Sequence, residues 1–153
     1  MLNQIKRFLE SNLQPGSSEE TPADREHRLA LAATALMLQI AAIDHDEDER
    51  EIATIVEAAG TLTTFTADER EALLALARER VDDATSLYEF TGVINELCAH
   101  NERMDIVEQL WRVALADQHV DRYEEHLIRR IAELFHLSPS EFVQCRHKAK
   151  GQL

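Results

Sequence analysis

Apolar residues recur at steps of three and four along almost the whole chain, and no segment sustains the alternation of a strand. A period of 3.6 gathers such residues on one face of an α-helix, whereas a half-buried strand requires a period of two. The pattern therefore predicts an all-α fold. Composition agrees: 153 residues contain only 4 Gly and 3 Pro, too few to turn a sheet repeatedly. A chain of this length buries roughly 70% of the surface that its unfolded form exposes. It needs neither a disulfide nor a metal simply to close a core.

Residues 1–13 predict an amphipathic helix, with Leu2, Ile5, Phe8, Leu9 and Leu13 on one face. Residues 14–23 read as a linker, because Pro15, Gly16, Ser17 and Ser18 interrupt the helical pattern. Within that stretch Thr21-Pro22 supplies an N-cap and a proline at the first helical position. The helix it opens is expected to reach about Asp44, with Leu29, Ala32, Ala33, Leu36, Ile40 and Ile43 as its inner stripe. Ile52, Ile55, Val56 and Ala59 mark the next helix, which Gly60 closes. Thr66-Ala67-Asp68-Glu69 is a capping box ahead of Leu73, Leu74, Ala77 and Val81. A helix over 85–99 carries Leu87, Phe90, Ile94 and Leu97 inward, and Asn101 is the expected cap of the one after it. That helix bears Ile106, Leu110, Val113 and Ala114 and ends near Asp117. Leu127, Ile131, Leu134 and Phe135 form the next stripe, and Ser138-Pro139-Ser140-Glu141 opens the last helix with a second capping box. The expectation is one orthogonal or bundle-like domain over residues 24–150, in a chain of seven to eight helices.

Charge narrows the partners. There are 29 Asp plus Glu against 16 Lys plus Arg, a formal net charge of -13. Such a field repels nucleic-acid phosphates and anionic membrane surfaces and favours cations or basic proteins. No apolar run is long enough to span a membrane, and the N-terminus has no secretory h-region. Two cysteines, Cys98 and Cys145, make no disulfide scaffold. Together these features point to a cytoplasmic protein with a protein partner of unspecified identity.

Acidic residues crowd two turns. The first holds Asp44, Asp46, Glu47, Asp48, Glu49 and Glu51; the second holds Asp117, Asp121, Glu124 and Glu125, with His119 beside them. Closely spaced carboxylates repel one another, and a hard cation such as Ca²⁺, Mg²⁺ or Mn²⁺ relieves that repulsion through oxygen ligands. Asp44-x-Asp46-x-Asp48 opens like an EF-hand loop, but the sixth position is Glu49 rather than Gly and the twelfth is Ile55 rather than Glu. This is not an EF-hand. The competing explanation is that acids at helix starts satisfy free N–H groups and the helix dipole. A lesser candidate is a zinc tetrad from Cys98-x-His100 and Cys145-x-His147, although no Cys-x-x-Cys knuckle is present. No phosphate loop, nucleophile elbow or His-Glu-x-x-His motif appears, so the expectation is a protein without catalytic activity.

The two turns belong to an internal repeat. Leu38 to Asp44, a turn and a helix with Ile52, Ile55 and Val56 parallels Leu110 to Asp117, a turn and a helix with Leu127, Ile128 and Ile131. The Ala-x-Asp, turn, acid and Glu pattern, best seen in Trp111 to Ala132, resembles the TerB-like family of tellurite-resistance proteins. Leu87-Tyr88-Glu89-Phe90-Thr91 and Ser138-Pro139-Ser140-Glu141-Phe142 resemble it too, so the likeness covers about Leu29 to Arg146. In that family Gly usually follows the Asp, where this chain has His45 and Gln118. The resemblance implies a helical domain of two pseudo-repeated halves and a role in metal-linked stress responses. Its candidate cation ligands are Asp44, Asp46, Asp48 and Glu51 in the first turn and Asp117, His119, Asp121 and Glu124 in the second. The alternative is an acidic protein-interaction module with no metal role.

Overall fold

The computed structural model describes residues 20–41, 52, 55–57, 59, 64–78, 84–116, 120 and 122–151. Its helices are α1 (Pro22–Ala41), α2 (Ala67–Arg78), α3 (Ala84–Leu97), α4 (His100–Leu115), α5 (Arg122–Leu134) and α6 (Pro139–Ala149). Residues 52, 55–57 and 59 are also helical, and no strand occurs among the described residues. The expected helix over 1–13 lies outside them.

Capping sets several helix starts. The Thr21 hydroxyl accepts from the Asp24 N–H at 3.1 Å, and the Asp24 carboxylate accepts from the Thr21 N–H at 3.1 Å. The same reciprocal pair opens α2 through Thr66 and Glu69, at 3.1 and 2.9 Å. It opens α6 through Ser138 and Glu141, at 3.2 and 2.8 Å. Each pair satisfies two N–H groups that the helix itself leaves unpaired. The start of α4 corrects the expected cap. Its N-cap is Ala99, with extended backbone at φ -74°, ψ 168°. Alanine has no acceptor to offer, so the half-box comes from Glu102, which accepts from the Ala99 N–H at 2.9 Å. Asn101 lies inside the helix, and α3 stops at Leu97 to leave a two-residue turn.

Helix α1 is the centre of the bundle, packed on α2, α3, α4 and α5. Its stripe is wider than the sequence pattern implies. Leu31, Ala32, Ala35, Leu36, Leu38 and Ile40 are fully buried, while Leu29 and Ala33 are only partly buried. A helix covered on several sides buries most of its circumference rather than one face. Leu73, Ile94, Val107, Leu110, Trp111, Ile128, Ile131 and Phe135 complete the core around it. Trp111 packs on Phe142 with ring centroids 5.4 Å apart, joining α4 to α6.

One end of the bundle is locked by polar contacts. Helix α5 finishes with His136 at φ 63°, the Leu137 N–H donating to the Ala132 carbonyl at 3.0 Å and the His136 N–H to that of Glu133 at 3.0 Å. This is a Schellman ending, with His136 where glycine is usual. The remaining carbonyls are taken by neighbours. The Asn95 amide donates to Leu134 at 2.9 Å, and the Arg103 guanidinium donates to Phe135 at 3.0 Å and to the Asn95 oxygen at 3.2 Å. Next to Asn95, Glu96 lies 3.8 Å from the guanidinium of Arg28, a buried residue that also pairs with Glu20. Glu20, Thr21 and Pro22, within the stretch read as linker, are thus part of the folded body.

Candidate functional site

The locked end is built from four helix termini. It gathers the start of α1, the end of α3, the start of α4 and the end of α5. Helix α1 packs on α3, α4 and α5, and α4 packs on α5. Ala41 is the last residue of α1 and Leu115 the last of α4, so the two acidic stretches follow the ends of two helices that pack on each other.

Asp44, Asp46, Asp48 and Glu51 lie outside the described residues, as do Asp117, His119 and Asp121. Around the second turn, Ala114 is fully buried and Ala116 closes α4, its N–H donating to the Val113 carbonyl at 3.4 Å. Val120 is half-buried, and α5 begins at Arg122. Glu124, the described member of the candidate set, stands in the first turn of α5 with 4% of its surface exposed. A carboxylate in the first turn of a helix is favoured by the helix dipole, and this one is held inside rather than displayed to water. Its neighbour Glu125 is directed differently and pairs with Arg129 one helical turn on, at 3.6 Å. Among the described residues no group of three or more His, Cys, Asp or Glu side chains is arranged to hold a metal.

Sequence patterning did not reveal the buried ionisable residues. His27 Nε2 lies 2.9 and 3.0 Å from the two carboxylate oxygens of Glu69, which is only 2% exposed, and its ring meets Phe65 edge-on at 5.7 Å. The capping box identified Glu69, but its second partner is 42 residues away, a separation that no local period reports. Glu108 is likewise buried, one oxygen held by Arg112 at 3.3 Å and the other 3.8 Å from the Lys148 ammonium. The arginine is one helical turn away and legible as an i, i+4 pair; the lysine arrives only by packing of α6 on α4.

The candidate zinc ligands have separate partners. Cys98 and Cys145 are both buried and unbridged. The Cys145 thiol donates to the Met104 carbonyl at 3.4 Å. Burial pushes it up to about 11, with Glu108, Glu141 and Asp105 adding to the effect. Cys98 is raised by burial as well, and then by Glu102. A thiol held protonated at neutral pH is neither an activated nucleophile nor a ready ligand. His100 joins Glu141 at 2.5 Å, tying the start of α4 to the start of α6, and His147 is exposed.

Comparison with known proteins bears on the whole domain rather than on any one residue. No curated protein and no solved structure matches the chain. The family described as tellurite resistance protein TerB matches residues 30–147, from within α1 to within α6. That span is well over half of the 153 residues, so the chain belongs to the TerB family of tellurite resistance proteins.

Proposed function

We propose that this TerB-family protein is a non-enzymatic stress-response protein that binds or senses a divalent cation (Ca²⁺, Mg²⁺ or Mn²⁺) through its two acidic turns. The ligands are drawn from Asp44, Asp46, Asp48 and Glu51 in the first turn and from Asp117, His119, Asp121 and Glu124 in the second. The supporting observation is that both acidic stretches follow helices, α1 and α4, that pack on each other in the core. Two dense carboxylate segments in one small domain concentrate negative charge, and a divalent ion offsets the resulting repulsion. Buried Glu124 adds a carboxylate at the root of the second turn. Two unbridged cysteines suit a reducing cytoplasm.

Thermal melting in the presence of each ion tests the proposal. A ligand specific to the folded state stabilises it by about 2.7 kcal/mol at a hundredfold excess over Kd, and the midpoint should rise by several degrees. Asp117→Asn with Glu124→Gln should remove the gain from the second turn, and Asp44→Asn with Glu51→Gln that from the first. A rise no larger than that produced by matched monovalent ionic strength would mean that the carboxylates cap helices. The remaining reading is then an acidic interaction module. Tyr88 of α3, 68% exposed, favours that reading because an aromatic on an acidic surface is a usual interface anchor.

A further inference from the structure

Helices α4 and α6 form an open pocket of about 140 Å³, lined by Asn101, Met104, Asp105, Glu108, Cys145 and Lys148 among others. One wall is soft and apolar, from the two sulfur side chains; the rest carries two carboxylates, the amides of Asn101 and Gln144, and the Lys148 ammonium. Glu108 dominates its chemistry. The residue is only 9% exposed, and Arg112 holds Oε2 at 3.3 Å. Oε1 is buried and accepts no hydrogen bond. The Lys148 ammonium stands 3.8 Å from it, too far to donate, on a side chain that is 59% exposed. A buried carboxylate oxygen without a donor is costly, and a charged donor at proper distance would recover that cost. Lys148 is tethered to α6 and stops short of the position that such a donor would occupy.

We propose that this pocket binds a small primary amine, whose ammonium takes the place of Lys148 at Glu108 Oε1 while its short apolar stem lies against Met104 and Cys145. Lys148 swings outward into water to admit it. The volume suits a ligand of a few heavy atoms, and the free carboxylate of Asp105 makes the site favour a cation over an anion. The described lining holds none of the acidic-turn residues, and the test does not depend on them.

The test is an NMR titration of the full chain, methyl-labelled at methionine, with n-butylammonium chloride as the probe. The chain has three methionines; Met104 lines the pocket, and Met37 of α1 serves as an internal control. The Met104 methyl should shift saturably while that of Met37 does not. Glu108→Gln should weaken binding at least about tenfold, the value of a lost charge-assisted hydrogen bond. Lys148→Met removes the tethered competitor from an exposed position and should tighten binding severalfold. The proposal is overturned by a non-saturating shift matched by sodium chloride, by an equal response to n-butanol, or by a Lys148→Met variant that binds no tighter. The last two outcomes stand even if Glu108→Gln does not fold.

Discussion

His136 is the non-glycine residue with positive φ among those described, at 63°. Left-handed backbone costs an L-residue about 1–2 kcal/mol, and histidine tolerates it better than β-branched residues. Leu137, 8% exposed, buries the side chain that follows, so packing retains a conformation that residue 136 does not prefer. We expect His136→Gly to stabilise the domain by about 0.5–1 kcal/mol, after the added freedom of glycine in the unfolded chain is set against the relief of strain. Chemical denaturation should show a higher midpoint at unchanged slope. A lower midpoint would mean that the histidine side chain contributes more than its backbone costs. Nothing in the local sequence marks this position, because the usual glycine is missing.

At the scale of the helix, the caps connect stability to pH. The Thr21 N–H holds the Asp24 carboxyl below the ordinary range, and the Ser138 N–H, with His100 after it, does so for Glu141. Both groups are depressed in the folded state. Their contribution is complete above the unfolded carboxylate value of about 4 and is lost as pH falls through the lower folded values. These two groups should therefore contribute a fall in the melting midpoint below about pH 4. Glu141→Gln should start from a lower midpoint at neutral pH and show a shallower acid decline; an unchanged acid slope would remove this residue from the linkage. Two of the three reciprocal caps, Thr66 with Glu69 and Ser138 with Glu141, were read in the sequence, because a hydroxyl residue followed three positions later by an acid is a local signature; at Thr21 only the N-cap was read, and the structure adds Asp24 as its partner. The cap of α4 was not, since Ala99 offers no side-chain signal and Glu102 alone does the work.

Across the whole molecule, the buried Arg28 guanidinium connects the segment before α1 to the end of α3. Hydrogen bonding from Arg28 keeps the Glu20 carboxyl below its ordinary range. The folded body accordingly begins by residue 20. A chain lacking residues 1–19 should melt cooperatively near the full-length midpoint, whereas Glu20→Gln in the full chain should lower it. Loss of cooperative melting in the truncated chain would show that the first predicted helix is part of the core.

What the sequence determined by itself was local. Period and caps specified helices at Pro22, Ala67 and Pro139, and placed Leu110, Ile131 and Phe135 inside, because those signals span a few residues and need no partner. Tertiary structure decided which helix became central, and so why α1 buries Leu31, Ala35 and Leu38 beyond its predicted stripe. It also placed Glu69 against His27, and Lys148 near Glu108. The physical reason is range: a helical period records one face of one element, whereas burial of a charge depends on what another helix, tens of residues away, brings against it.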